Sequence, residues 1–147
     1  MTSISAPSFR LAVESVIRYR GKVLLTKRAE GIDVAPGVWN VPAGKVKLLE
    51  ITADAAKRET LEEVGFAVNI VHFLEERTAL IQSKGEPSYR NIFTYLTEAV
   101  EKEPKVVLNG EHSEYKWVSS EELDNTEFNS LLPKLKEIIR CVLKNEG

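Results

Sequence analysis

The chain has 147 residues, 43% of them hydrophobic and 29% charged, with a formal charge of −2. This composition suits a single globular domain spanning residues 1–147, and it gives no basic field for duplex nucleic acid. No run approaches the roughly 18 apolar residues of a membrane span, and Cys141 is the only cysteine, so no internal disulfide can form, which fits a reducing, cytoplasmic setting.

Residues 1–8 are small and polar and are expected to be loose. They lack the basic and apolar regions of a secretory signal. Phe9 to Tyr19 is rich in Val, Ile and Leu and reads as a strand. Arg20-Gly21-Lys22 is a turn, and Val23 to Arg28 returns as the second strand of a hairpin. Ala29 to Gly37 is a loop, and Val38 to Val41 a short strand leading into Pro42. A loop and a helix follow, described below. Ala67 to Thr78 is expected as a strand, Gln82 to Ser88 as a polar loop, and Tyr89 to Val100 as another strand. Glu101 to Gly110 is a charged loop and Glu111 to Val118 the last strand. Ser119 or Ser120 can cap a short helix through Leu123. Apolar residues at 131/132, 135, 138/139 and 142/143 give a final helix. Pro133 belongs in its first turn, with Ser130 or Asn129 as the expected cap. Strands interspersed with two or three helices, without repeat or linker, indicate an α/β protein with a mixed sheet.

Gly44 to Phe66 is the stretch that carries chemistry. Thr52 can cap a helix N-terminus, Ala53 to Val64 holds good helix formers without Gly or Pro, and Gly65 fits just past the end. Glu59, Glu62 and Glu63 then share one helix face. Each like-charged i,i+4 pair costs roughly 0.2–0.5 kcal/mol. A divalent cation reverses that sign, and Mg²⁺ takes carboxylate oxygens together with substrate phosphates. The plain alternative is a solvated helix with a salt bridge such as Arg58 to Glu62.

The spacing of Gly44, Glu50, Arg58-Glu59, Glu62-Glu63 and Gly65-Phe66 resembles the 23-residue signature of the Nudix (MutT-type) hydrolases. Thr60 departs from it where an aliphatic residue is usual. Ala43, Lys47 and Leu49 also depart, standing where Gly, Glu and Gly are common. Ala43 and Leu49 bear on the loop geometry, because Gly accepts positive φ cheaply. The resemblance implies an α/β/α sandwich with a central mixed sheet, the signature helix packed on that sheet. It implies Mg²⁺ or Mn²⁺ on Glu59, Glu62 and Glu63, helped by a backbone carbonyl at Ala43 or Gly44. Arg58 would hold a carboxylate, supported by Glu50. Gly110 to Val118 resembles the E-H-x-E-x-x-W-V segment late in many such chains, so Glu111, and less readily Glu114, is a candidate metal ligand or base. Within the signature the base would be Glu62 or Glu63.

Arg28 matches a position that meets substrate phosphate, and a surface role is its alternative. Asn129 resembles a purine-contacting Asn, with a helix cap as its alternative. Trp39 and Trp117 read as core or pocket wall, and His72 and His112 as structural. The implied substrate is a nucleoside diphosphate linked to another group. A nucleoside triphosphate is favoured, oxidised ones included, and ADP-ribose or a nucleotide sugar is the alternative. A nucleotide-sensing module without catalysis is the rival from another class, and the chain is expected as a monomer or homodimer.

Overall fold

The computed structural model describes residues 9–83 and 86–145. The expected loose segment 1–8 lies outside the described residues. Seven strands and two helices follow in the order β1 (Phe9–Tyr19), β2 (Lys22–Arg28), β3 (Trp39–Asn40), β4 (Ala43–Lys45), α1 (Thr52–Val64), β5 (Val68–Ser83), β6 (Glu86–Ala99), β7 (His112–Val118) and α2 (Pro133–Lys144). Two 3-10 turns, Glu121–Asp124 and Thr126–Phe128, precede α2.

The sheet runs β3-β2-β1-β6-β5, with β4 beside β1 and β7 beside β2. It is mixed because β1 and β6 are parallel while the other pairs are antiparallel. β1 and β2 meet only at Arg18–Val23 and Tyr19–Lys22. Arg20 and Gly21 both have positive φ, 48° and 75°, as a tight hairpin turn requires. β2 then leaves β1 for β7, and β4 takes its place beside β1.

The two faces of the sheet bury different partners. Val16, Val23, Leu25 and Leu96 pack with Leu135, Ile138, Ile139 and Val142 of α2. On the other side Val13 and Tyr95 pack with Ala55 and Ala56 of α1, while Ile17 and Leu24 meet Val64, Phe66 and Val68. β1 alternates between both cores, so Ala12 to Ile17 is buried throughout. Helices on both faces of a mixed sheet make the expected α/β/α sandwich. Trp39 is buried against Phe128, and Trp117 lies beside Phe66 and Tyr19.

Several expectations are corrected locally. Thr52 does not cap α1; Ile51 occupies that place without a side-chain bond, and the Thr52 hydroxyl pairs with Tyr95 Oη at 2.5 Å. Neither Ser130 nor Asn129 caps α2. Leu132 precedes it, Pro133 needs no N–H partner there, and Ser130 Oγ accepts from Trp39 N–H at 3.0 Å. The expected loop at 82–88 is mostly strand, since β5 reaches Ser83 and β6 starts at Glu86. Ala43 to Lys45, expected as loop, pairs with Ala12 to Glu14. Ser119 does act as a cap: its Oγ accepts from Glu122 N–H at 3.3 Å, and Glu122 Oε1 accepts from Ser119 N–H at 3.1 Å.

Candidate active site

α1 places its acids by its period of 3.6, but their neighbours divide them. Arg58 gathers the outer ones. Its Nε and Nη2 donate to the two Glu50 oxygens at 2.8 and 3.0 Å, and its Nη1 donates to Glu59 at 2.8 Å and Glu62 at 3.1 Å. Nη2 also donates to the Lys45 carbonyl at 2.9 Å. One guanidinium thus ties the loop at 45–50 to the helix, with the planar fork geometry that arginine supplies. The Arg58 fork and the Lys47 N–H lower the Glu50 pKa to about 2. Glu59 goes the other way: burial pushes it up, and Arg58 only partly opposes that.

Glu63 turns inward and is 1% exposed. Its Oε2 accepts from the Ala43 N–H at 3.0 Å, and its Oε1 lies 3.4 Å from His112 Nε2. Burial first, then the Glu59 and Glu111 charges, push its pKa up to about 9. Arg28 and the Ala43 N–H pull against that rise without cancelling it.

Distant segments complete the cluster through backbone bonds. Val107 N–H donates to the Val64 carbonyl at 2.8 Å and Asn109 N–H to the Glu63 carbonyl at 3.2 Å, docking the loop on the end of α1. Ala29 N–H donates to the Glu111 carbonyl at 2.9 Å, which draws the end of β2 and Arg28 alongside. Asn109 Oδ1 accepts from Glu111 N–H and meets His112 Nδ1, both at 3.1 Å. That shared oxygen assigns the proton to Nδ1 and leaves Nε2 unprotonated on the side of Glu63, 3.4 Å away. Burial lowers the His112 pKa, consistent with a neutral ring. One ligand atom each from Glu63, Glu111 and His112 lies within 4.8 Å of the others.

Gly44 sits against Glu59 so closely that an added Cβ would overlap the Glu59 carboxyl carbon. Thr60 is fully buried and donates to the Ala56 carbonyl at 2.7 Å, so its hydroxyl is satisfied inside the helix. Leu49 takes φ of +65° while Ala43 does not have positive φ. The strain expected of the loop therefore falls on one of the two departures.

The structure brings Glu63 and Glu111 together with His112, which reads as structural in the sequence. Its signal was its place next to Glu111 at a strand start. Glu62 is exposed at the edge and Glu114 pairs with Lys27 at 3.4 Å, away from the cluster. Arg28 is half-buried, with Nε donating to the Val34 carbonyl at 2.8 Å. Asn129 is exposed at the end of the second 3-10 turn.

The NUDIX domain family model matches residues 9–141. The chain belongs to the NUDIX family. It is a Nudix (MutT-type) hydrolase, and its signature helix is α1. The chain is 28% identical over 126 residues to nucleoside triphosphatase NudI of Klebsiella pneumoniae, covering 82% of this chain and 89% of that protein. It is 38% identical over 80 residues to the m7GpppN-mRNA hydrolase NUDT17 of Xenopus laevis, a match spanning 51% of this chain and 27% of that one. Among solved structures, the MutT protein of Methanosarcina mazei Go1 superposes with a TM-score of 0.76, at 23% identity over 98% of this chain and all of that one. Among the described residues no helix is long and apolar enough to cross a membrane.

Proposed function

We propose that this Nudix hydrolase cleaves the diphosphate linkage of a nucleoside diphosphate linked to another group. The favoured substrate is a nucleoside triphosphate, oxidised ones included, giving a nucleoside monophosphate and pyrophosphate. One observation carries the reading. A buried carboxylate, Glu63, stands with Glu111 and His112, one ligand atom of each within 4.8 Å of the others, and burial and the Glu59 and Glu111 charges push its pKa up. An NTPase relative that aligns over most of both chains supports the triphosphate.

The donor set fits a hard divalent cation. Glu59, Glu63 and Glu111 offer carboxylate oxygens, with the Ala43 or Gly44 carbonyl at hand and Glu62 at the rim, and oxygen donors suit Mg²⁺ or Mn²⁺. Such a cation, when bound, supplies positive charge against the phosphate oxygens. The residues do the rest. Arg58 fixes Glu59 and the loop ahead of the helix. Arg28 faces the phosphates with a permanent charge. Glu63 or Glu111, once ionised, accepts the proton of the attacking water, and Asn109 holds His112 and the Glu111 backbone in register with Glu63. Asn129 is a candidate contact for the nucleoside. A cytoplasmic, single-domain enzyme acting as monomer or homodimer completes the proposal.

The test is phosphate release from a nucleotide panel with Mg²⁺ or Mn²⁺, coupled to an inorganic pyrophosphatase. Pyrophosphatase-dependent phosphate from triphosphates supports the reading. Saturable nucleotide binding with no turnover under either ion overturns it in favour of nucleotide sensing.

A further inference from the structure

The face of the sheet that carries α2 changes character along β1. At Val16 and Leu96 it is apolar and covered by the helix core. At Glu14 it turns polar: this carboxylate, 3% exposed, accepts from Arg77 at 2.6 and 2.7 Å and from Thr94 at 2.9 Å. Glu14 is thereby neutralised within its own cluster. Two further cations follow on the same face. The parallel register sets Arg10 of β1 directly beside Arg90 of β6, in step with the pairs Ala12–Ile92 and Glu14–Thr94. Like charges opposite each other on neighbouring strands are unfavourable.

Arg90 makes the arrangement costly. Its Nε is shut off from water and has no hydrogen-bond partner, and buried polar groups without partners are rare. Burial lowers its pKa, and the charges that add to this effect are those of Arg10 and Arg28, both cations. Arg28 pairs with His112 across β2 and β7, and the 2.9 Å bond from Ala29 N–H to the Glu111 carbonyl sets this end of β2 beside the carboxylate centre.

We propose that Arg10 and Arg90, adjoining Arg28, form a second anion subsite that holds a phosphate of the substrate lying outside the diphosphate at the carboxylates. It rests on the hydrolase reading for the molecule to which that phosphate belongs. The ligand chemistry is a multiply charged oxyanion facing guanidinium donors, the partner that answers the paired charges of Arg10 and Arg90. The subsite makes a chain of three phosphates a better ligand than one of two. It selects against substrates whose second group is uncharged, such as simple nucleotide sugars.

The experiment is calorimetric titration of inorganic tripolyphosphate and of pyrophosphate, with Mg²⁺ present, into the wild type, Arg10→Met and Arg90→Met. Both variants are expected to lose about ten-fold or more in tripolyphosphate affinity, the scale of a lost charge-assisted bond, and to hold pyrophosphate within about two-fold. Unchanged tripolyphosphate binding, or equal losses on both probes, overturns the subsite. Arg10 is exposed, so Arg10→Met decides the matter even if Arg90→Met fails to fold. The nucleotide panel stays independent: absent turnover with the contrast intact removes the hydrolase reading alone, and turnover with the contrast absent removes the subsite alone.

Discussion

Glu50, in the loop just ahead of α1, and Glu63, in its last turn, are the same side chain, and their pKa values are driven in opposite directions, to about 2 and about 9. Glu50 faces the fork of Arg58 and a backbone N–H. Glu63 faces other acids, with one backbone N–H and a neutral imidazole. What separates them is neither residue type nor sequence spacing. Arg58 takes up the outer acids, and the fold buries the inner one. Glu50 is already compensated and holds the loop in shape. The inner set is uncompensated and gains from an added positive charge.

The largest effect is expected where that contrast is removed. Glu63→Gln should lower turnover by about 10²–10⁴-fold. In chelator its melting temperature should equal or exceed that of the wild type, because the amide resembles the protonated acid already present. Glu62→Gln should also cut turnover with little change in stability. Wild-type rates in both variants would take the signature helix out of the mechanism.

Gly44→Ala comes next. The methyl must displace the Glu59 carboxyl, so steady-state kcat/KM should fall by about 10–100-fold, the usual cost of misplacing a ligand through its support. An unaltered kcat/KM would show that Glu59 has no part in the reaction.

A smaller effect sharpens the contrast through pH in the metal-free protein. Glu63 has its folded pKa raised above its ordinary value of 4.5, so its contribution to stability is full below 4.5 and is lost as pH rises toward about 9. Glu50 has its folded pKa lowered, so its contribution is present above 4.5 and is lost as pH falls toward about 2. Melting curves should therefore show two opposed slopes. Glu63→Gln should flatten the alkaline one and Glu50→Gln the acid one; a single variant flattening both would mean the two sites titrate as one.

The smallest effect lies in the loop that Arg58 secures. Leu49 is 95% exposed and holds φ of +65°. Leu49→Gly removes the steric strain and loses no packing, so denaturant unfolding should show a gain of about 1 kcal/mol. A loss would mean that the strain is relieved elsewhere in the loop.

The sequence made α1 legible because helix formers, the gap at Gly65 and the acid spacing agree. Its extent differs from expectation by one residue at Thr52. The reach of β5 to Ser83 and of β6 back to Glu86 was hidden because polar residues in sequence carry no alternating pattern to set their register. β4 was hidden because three residues, one of them glycine, show no periodicity. The site was half legible. Regular spacing identifies the helix face but not which acid Arg58 will claim. Glu111 was visible from its segment, whereas His112 needs the loop bonds to the end of α1 before its ring meets Glu63. Arg10 and Arg90 are 80 positions apart, and only a parallel register makes them neighbours.

The bare Cα of Gly44 has an evolutionary consequence. The volume where any other amino acid would start its side chain is filled by Glu59. Drift at either site is therefore conditional on the other. A library randomising both should return glycine at 44 wherever glutamate survives at 59, and wider choices at 44 only among members that have shortened 59.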